Sequence, residues 1–274
     1  MGPAYGQEQL RWLERSLLPQ LPSAAQLLDL CCGTGQLIQP LLERGYQVTG
    51  LDGSEAMLNY ARENAPRANF WLDDARTFSS PIQFDAVFST SASLNHIMSL
   101  EALTEVFQNV YRSLQPSGFF LFDLNHPGQM QKWWRGQIVE GEIDSRYAWI
   151  LRPSYEPTHH QGAFEVSLFE APRWPSQSWG KRLMYLLRAP LYRLLSLRRL
   201  TRFRLKLLCY FSRLEPDWQR SDLNYPVKGH AIADVRLALQ QTGFEQICIE
   251  TIEGADKIDD NYSAHFICRK GAQP

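Results

Sequence analysis

A glycine-rich turn follows the first apolar run of this 274-residue chain and is suited to holding a ligand. The run QLLDLC (26–31) leads into Gly33 and Gly35, and glycines let a backbone turn sharply and approach a bound molecule closely. A dinucleotide-binding turn would place a third glycine where this chain has Ile38. Asp29, four residues before the first glycine, suits a cationic or polar ligand better than a pyrophosphate. A plain turn is the alternative interpretation.

A second carboxylate, Asp52, closes the next apolar run, YQVTGLD (46–52). At the end of a strand, a carboxylate can accept hydrogen bonds from both hydroxyls of a ribose, as in nucleoside-binding sheets. The alternative interpretation is a cap for the helix that follows. Together, the turn and this aspartate indicate a nucleoside-like ligand.

Polar side chains also follow the later apolar runs. His96 and His126 are candidates for a general base, because a neutral imidazole accepts protons near pH 7. The alternative is that both histidines belong to loop structure or cap helices. Candidates for substrate contact in the same stretches are Asn95, Asp123 and Asn125.

The elements that must position these residues alternate between strand and helix patterns. Strands are predicted at 26–31, 46–52, 68–72, 84–89, 119–124, 244–252 and 265–270. Helices are predicted at 8–21, from Leu37 to Gly45, after Ser54, from Leu100 to Leu114 and at 230–242. This order predicts a doubly wound α/β fold, in which the carboxyl ends of the strands hold the ligand.

Five stretches in this order resemble the class I S-adenosylmethionine-dependent methyltransferase family. They are LLDLCCGTGQL, VTGLDGSEAML, FWLDDART, FDAVFSTSASLNHI and LQPSGFFLFDLNHP. The resemblance covers about 10–124 and 230–270, and the last two stretches look most like small-molecule enzymes of the glycine N-methyltransferase type. It implies a doubly wound, seven-stranded, mostly parallel sheet with an antiparallel last strand. A β plus basic helical insertion would follow the fifth strand.

The same resemblance implies roles for individual residues around S-adenosylmethionine. Asp29 would orient the methionyl amino end, and Asp52 would bind the ribose hydroxyls. Asp74 would hydrogen-bond the adenine amino group, although the adjacent Asp73 competes for that role. Cys31 stands where the family usually has a glycine. The full set implied to contact the cofactor is Asp29, Cys31, Gly33, Gly35, Asp52, Gly53, Asp74, Ala75 and Ser89.

The implied activity is transfer of a methyl group from S-adenosylmethionine to a nitrogen or oxygen of a small molecule, leaving S-adenosylhomocysteine. The alternatives are a methyltransferase acting on RNA or protein, or a non-catalytic module that binds S-adenosylmethionine. The Asn/Asp-Pro-Pro-Tyr signature of some nucleic-acid enzymes is missing, and STSAS occupies its place. A nicotinamide oxidoreductase is a more distant alternative. No metal is expected, because the adjacent His159 and His160 have no Cys or carboxylate at ligand spacing.

The formal net charge of −1 conceals a basic segment at 171–214, which contains 11 Lys and Arg and no acid. We expect a cofactor-binding core at 1–124 and 230–274 and an inserted, substrate-side cap region at 125–229. Within the basic segment, leucines at 183–195 follow a helical pattern. Beyond Leu197 that pattern weakens, and Phe203, Leu205 and Leu207 alternate with basic residues. Trp133, Trp134, Tyr147 and Trp149 are expected to pack inside the insertion or to line an apolar pocket.

Three interpretations of the basic segment compete. It is a solvated helical cap, an element that lies on an anionic membrane surface, or a site for an anionic substrate or nucleic acid. A site for a protein partner is the remaining alternative. Nucleic acid is not the expected partner, and the oligomeric state is open. The chain has five cysteines without a CxxC pair, and its first residues lack the basic and then apolar stretches of a secretory signal. We therefore expect a cytoplasmic protein, with peripheral membrane association as an option.

Overall fold

The computed structural model describes residues 3–172 and 190–272. Its strands are β1 Gln26–Leu30, β2 Gln47–Asp52, β3 Asn69–Leu72, β4 Phe84–Ser89, β5 Leu114–Leu124, β6 Glu140–Ile143, β7 Tyr147–Glu156, β8 Gln161–Glu170, β9 Gln219–Lys228, β10 Phe244–Glu250 and β11 Ala264–Lys270. Its helices are α1 Pro3–Ser16, α2 Ile38–Glu43, α3 Glu55–Asn64, α4 Leu100–Ser113, α5 Pro127–Trp133, α6 at 190–195, α7 Thr201–Leu208, α8 Phe211–Leu214 and α9 Ile232–Thr242.

The chain folds into two compact units, one up to Lys132 and from Lys228 onward, the other Trp133–Val227. The first contains a seven-stranded sheet in the order β10-β11-β5-β4-β1-β2-β3. The strands from β1 to β5 run parallel to their neighbours, and β11 is antiparallel to both β5 and β10. This topology confirms the predicted doubly wound sheet with an antiparallel last strand.

Helices cover both faces of this sheet. On one face α4 contributes Leu103, Val106, Phe107 and Val110 to a buried core, and α9 adds Val235 and Leu239. The four α4 residues recur at the helical period, so a single side of the helix is apolar. The Ser99 hydroxyl accepts a hydrogen bond from the Ala102 N–H and caps that helix. On the other face α1 and α2 bury the second core, which includes Trp12, Leu13, Leu17, Ile38 and Leu41.

The unit Trp133–Val227 contains a four-stranded sheet in the order β6-β7-β8-β9. β7 and β8 form a long antiparallel hairpin, pairing from Tyr147–Glu170 to Glu156–Gln161. The unit has a core of its own, built from Ile143, Ala148, Ile150, Phe169, Tyr192, Leu195, Leu208, Phe211 and Trp218. The helices of the described residues are all too short or too polar to span a bilayer.

Several element boundaries differ from the predictions. The predicted helix at 8–21 is α1 followed by a separate short turn, Leu18–Gln20, because Pro19 lacks the N–H that would continue the helix. β5 begins at Leu114 rather than at 119. Leu114 pairs with Phe84, and the ladder then shifts register before Phe119 pairs with Ala86. Pro116 and Gly118 therefore lie within an irregular strand.

Two features of the second unit differ from what the sequence indicated. β9 was not predicted, because its short alternation of Leu223, Tyr225 and Val227 contains Pro226, and most of its side chains are exposed. The stretch around Phe203, where the helical pattern of the sequence weakens, is the helix α7. Its Arg204 side chain turns inward and donates to the carbonyls of Gly141 and Leu195, so the alternation does not separate an inner from an outer face. The predicted helical leucines before 190 lie outside the described residues.

Candidate functional site

The glycine-rich turn after β1 uses left-handed backbone conformations that favour glycine. Gly33 and Gly35 have φ angles of +55° and +70°. The Gly35 N–H donates to the Cys32 carbonyl at 2.9 Å, which closes the turn. A Cβ on Gly35 would lie 3.1 Å from the Ala61 Cβ of α3. The turn thus needs glycine for its conformation and for close packing against α3.

Cys31 also adopts a left-handed conformation, with φ of +61°, at the position where the resemblance expects a glycine. A side chain in this region costs roughly 1–2 kcal/mol, because its Cβ crowds the following carbonyl. Burial, together with the nearby charges of Asp52 and Asp29, raises the pKa of the Cys31 thiol to about 12. The thiol is therefore protonated near neutral pH and is a poor nucleophile there.

Asp52 connects the end of β2 to this turn. One carboxylate oxygen accepts a hydrogen bond from the Gly33 N–H at 2.8 Å, and the other accepts from the Ser54 N–H at 2.9 Å. Next to it, a Cβ on Gly53 would meet only the Asp73 carbonyl, at 3.8 Å. The structure thus holds a carboxylate rigidly at the carboxyl end of β2, beside an open stretch of backbone.

Asp29 is a buried carboxylate in the wall of a cavity of about 350 Å³. The cavity lies among the turn after β1, the loop after β4 and α1, and its wall includes Gly6, Gln9, Cys32, Gly33, Thr34, Thr90, Ser91 and Ser93. Burial, and to a smaller extent the negative charge of Asp52, raises the pKa of the Asp29 carboxyl well above its usual value. A cationic ligand in this cavity would favour the ionised form of Asp29.

The acidic pair after β3 is arranged differently. Asp74 accepts hydrogen bonds from the Arg76 main chain and side chain, and these contacts lower the pKa of its carboxyl. Asp73 accepts from the Asp74 N–H at 2.7 Å. Ala75 is buried, and its carbonyl accepts from the Asn109 side chain. The choice between Asp73 and Asp74 for the adenine amino group stays a prediction.

Ser89 and the loop after β4 lie next to the turn. The Ser89 hydroxyl is buried beside the Cys31 thiol, and no partner lies at hydrogen-bonding distance from it among the described residues. Beyond it, Ser91 and Ala92 have φ angles of +67° and +53°. The Ala92 N–H donates to the Asp123 carboxylate at 3.0 Å. A carboxylate on β5 therefore fixes a strained loop that forms part of the cavity wall.

Asp123, a predicted substrate contact, is 1% exposed beneath this loop. Burial raises the pKa of its carboxyl to about 7, against the lowering effect of hydrogen bonds from the main chain at 91–92. Its second oxygen has no hydrogen-bond partner among the described residues. This placement favours a role in holding the loop.

The predicted contacts Asn95 and Asn125 bond to each other. The Asn95 side chain donates to the carbonyls of Asn125 and Lys228 at 2.9 and 2.7 Å, and accepts from the Asn125 N–H. All of these bonds use the side-chain amide of Asn95, which is fully buried. The pair therefore ties the end of β5 to the end of β9.

The two predicted bases differ in environment. The His126 Nε2 lies 3.3 Å from the Asp259 carbonyl and 3.2 Å from the Tyr262 carbonyl. Because carbonyl oxygens only accept, Nε2 carries the proton and Nδ1 is the nitrogen that can act as a base. His96 is exposed at the end of the short turn Ser93–His96. The described residues that line the cavity include neither histidine.

Gln9 on α1 is a cavity residue that the sequence reasoning did not identify. Its side chain is 1% exposed, and neither polar atom of its amide has a hydrogen-bond partner among the described residues. An amide in such a position is available to a ligand. The sequence did contain a signal for this residue, because Gln9 is polar and yet lies on the apolar side of α1, next to Leu10 and Leu13.

Among the aromatic candidates of the second unit, one tryptophan is buried and its neighbour is exposed. Trp134 is buried, with its ring 4.6 Å from that of Phe164, whereas Trp133 is 47% exposed. His159 contacts Glu156, and His160 contacts the Tyr155 hydroxyl. Within the described residues, no group of three or more His, Cys, Asp or Glu side chains is placed to hold a metal ion.

The parallel sheet, the glycine turn and the two carboxylates at the ends of β1 and β2 define a Rossmann-like nucleoside-binding fold. Residues 27–118 match a family described as "Methyltransferase domain". The fold resembles that of an S-adenosylmethionine-dependent methyltransferase from Clostridium acetobutylicum, with a TM-score of 0.68 at 14% identity, covering 98% of this chain and 91% of that one. Over residues 27–118 the chain is therefore similar to methyltransferase domains, and its fold is that of class I S-adenosylmethionine-dependent methyltransferases.

Curated relatives match part of the chain. The protein YqeM of Bacillus subtilis, which carries a methyltransferase name, is 38% identical over 119 residues, covering 42% of this chain and 47% of that protein. The dTDP-3-amino-3,4,6-trideoxy-alpha-D-glucopyranose N,N-dimethyltransferase of Streptomyces venezuelae is 30% identical over 113 residues, covering 41% and 44%. The chain thus spans about half the length of the curated relatives that it matches.

Proposed function

We propose that this protein transfers a methyl group from S-adenosylmethionine to a nitrogen or oxygen atom of a small molecule. The observation that carries the proposal is the buried Asp29 carboxylate in the cavity beside the glycine turn. Its raised pKa means that burial and the nearby Asp52 disfavour its negative charge, which a positively charged ligand would stabilise. The ammonium group of S-adenosylmethionine is such a charge.

The residues around Asp29 fit the rest of that molecule. The Asp52 carboxylate is held at the end of β2 by two main-chain N–H groups, where it can accept hydrogen bonds from ribose hydroxyls. Beside it, Gly53 leaves the backbone open to a flat group. We propose that Asp73 or Asp74, with Ala75, contacts the adenine, and that the main chain at Ser89 contacts the methionine part.

When bound, S-adenosylmethionine supplies a methyl group on a positively charged sulfur, an already activated leaving group. The protein then has to hold the acceptor atom in line with that carbon and exclude water. It needs a base only when the acceptor arrives protonated. We propose the Nδ1 of His126 or the ring of His96 for that role. Retained turnover across pH 6–9 in the double variant with glutamine at both positions would remove this proposal.

Support for a small-molecule acceptor comes from a relative. The Streptomyces venezuelae enzyme named above is described as a methyltransferase for an amino group of a nucleotide-linked sugar. We propose that the core at 1–124 and 230–274 binds the cofactor and that 125–229 lies on the substrate side. An amino or hydroxyl group on a sugar or similar small molecule is therefore the first acceptor class to test.

The test incubates the full chain with methyl-labelled S-adenosylmethionine and three acceptor pools: small amines and alcohols including nucleotide-linked amino sugars, RNA, and protein. We expect label in the small-molecule pool together with formation of S-adenosylhomocysteine. Asp29→Asn should reduce this labelling, whereas Glu63→Gln, which changes an exposed acid on α3, should not. Label appearing only in RNA or protein would contradict the proposed acceptor. Cofactor binding without label in any pool would indicate the non-catalytic alternative.

A further inference from the structure

In the second unit, helices α6 to α8 and the turns between them bury some of their apolar side chains and expose others. Tyr192, Leu195, Leu208 and Phe211 are buried in the core of that unit. The Tyr192 hydroxyl donates to Glu215, and the Ser196 hydroxyl donates to the Ile143 carbonyl at 2.9 Å. These contacts fix how the segment lies on its own sheet, and so determine which residues face outward.

The outward-facing residues of this segment are unusually apolar. The larger of them are each about half exposed, between 49% and 58%: Leu191, Leu194, Leu197, Phe203, Tyr210 and Leu214. Leu191 and Leu194 are three residues apart and therefore neighbours on the surface of α6. Clustered exposed side chains of this size mark an interaction surface more often than single exposed leucines do. We call these six residues the exposed apolar set.

Basic residues accompany the exposed apolar set. Arg193, Arg199, Arg202, Lys206 and Arg213 are exposed in the same segment, with Arg199 in the turn between α6 and α7. Arg204 is used internally, because it donates to two main-chain carbonyls. Since 171–214 contains no Asp or Glu, no acid of this segment offsets these charges. The exposed side of α6 to α8 therefore combines leucine and aromatic side chains with positive charge.

We propose that this surface docks on an anionic lipid bilayer, with the exposed apolar set entering the headgroup boundary and the basic side chains contacting lipid phosphates. This combination of apolar and basic residues without acids is typical of helices that lie in the membrane plane. A solvated cap has no need of half-exposed leucines, and binding to a polyanion in water would leave them in water. The proposal does not depend on methyl transfer.

The test is co-sedimentation of the full chain with vesicles of phosphatidylcholine, with or without phosphatidylglycerol, at low and high salt. We expect binding to the phosphatidylglycerol vesicles that weakens with salt, because each basic side chain near the surface contributes through a screened charge. Arg193→Gln/Arg199→Gln/Arg202→Gln should weaken binding by roughly 100-fold at low salt and reduce the salt dependence. Leu191→Gln/Leu194→Gln/Phe203→Gln should weaken it by at least about tenfold at both salt concentrations.

A matched control changes one exposed leucine and one exposed arginine of the first unit, Leu237→Gln/Arg67→Gln, and should leave binding unchanged. Since all substituted side chains are exposed, circular dichroism and thermal unfolding should show the wild-type fold for every variant. Wild-type protein that stays in the supernatant with both vesicle types would overturn the proposal. An equal loss of vesicle binding in the control variant would also overturn it. So would a result in which neither the wild type nor the leucine variant binds vesicles, while both bind RNA.

Discussion

The carboxylate of Asp52 accepts a hydrogen bond from the main-chain N–H of Gly33 at 2.8 Å. This bond joins the end of β2 to the turn after β1, and a second bond from the Ser54 N–H holds the other carboxylate oxygen. The residue proposed to bind ribose is therefore also part of the structure of the turn. Its substitution should affect both cofactor affinity and the turn.

Asp52→Ala should weaken binding of both S-adenosylmethionine and S-adenosylhomocysteine by about 1–3 kcal/mol, because charge-assisted hydrogen bonds are lost. Both ligands carry the same ribose, so the two losses should be similar. Isothermal titration calorimetry measures them, with Glu63→Ala on α3 as a control for removing a negative charge. Unchanged affinity in Asp52→Ala would show that the ribose lies elsewhere.

Gly53→Ala should separate ligand binding from folding. A Cβ at this position would meet only the Asp73 carbonyl at 3.8 Å, so the free energy of unfolding should change by less than about 1 kcal/mol. If the adenosine passes over Gly53, the added methyl group should weaken cofactor binding severalfold or more. Gly50→Ala is the contrasting variant, because its Cβ would lie 2.8 Å from Ile38 and 2.9 Å from Phe70.

Gly50→Ala should destabilise the fold by about 1–3 kcal/mol through overpacking. Chemical denaturation of both glycine variants, followed by cofactor titration, distinguishes the two effects. The interpretation fails if Gly53→Ala unfolds as easily as Gly50→Ala, or if it binds S-adenosylmethionine like the wild type.

Cys31 provides a test of backbone strain. Cys31→Gly removes a side chain from a left-handed conformation but also removes a buried sulfur, so we expect a change within about 1 kcal/mol of wild type. Cys31→Val has a similar volume but a β-branched side chain, which this conformation disfavours. It should lose about 2 kcal/mol or more relative to Cys31→Gly. Equal unfolding free energies for the glycine and valine variants would argue against the left-handed conformation.

The two strand ends illustrate how much the sequence could predict. Asp29 and Asp52 each follow a short apolar run, and the pattern of such runs was enough to place both at one edge of a parallel sheet. The antiparallel last strand came from the family resemblance. The chain order of strands and helices therefore carries most of the information about the core.

Other features needed the three-dimensional structure. Gln9 belongs to a helix far from the glycine turn in sequence, and only the packing of α1 over the sheet brings it to the cavity. The role of Asp123 as an acceptor for the Ala92 N–H depends on a left-handed loop that no local pattern indicates. β9 was missed because its short alternation of Leu223, Tyr225 and Val227 contains Pro226, and most of its side chains are exposed.

Asp123 should make stability depend on pH. Its pKa rises from 3.8 in the unfolded chain to about 7 in the folded protein, so the folded state binds more protons between these values. Its contribution is therefore fully present below pH 4 and declines by about 4 kcal/mol as pH rises through 7. Asp29, whose pKa is also raised, acts in the same direction, whereas His265, with its pKa lowered to about 4, acts in the opposite direction between pH 4 and 6.5.

Asp123→Asn removes one of these three contributions and keeps an oxygen that can accept from the Ala92 N–H. As pH rises from 4 to 8, the unfolding free energy of the variant should therefore increase relative to that of the wild type. Denaturation series at several pH values measure this difference, and the contributions of Asp29 and His265 cancel in it. A difference that is constant with pH would contradict the raised pKa.

The central claim is that S-adenosylmethionine binds in the cavity whose wall contains Asp29. The most direct measurement is calorimetric titration of S-adenosylmethionine into the wild type and Asp29→Asn, combined with denaturation of both proteins without ligand. Saturable one-site binding by the wild type is predicted, with clearly weaker binding by Asp29→Asn. The unliganded variant should be at least as stable as the wild type, because it no longer buries an ionisable carboxyl. Absence of binding by the wild type, or equal affinity in the variant, would contradict the account.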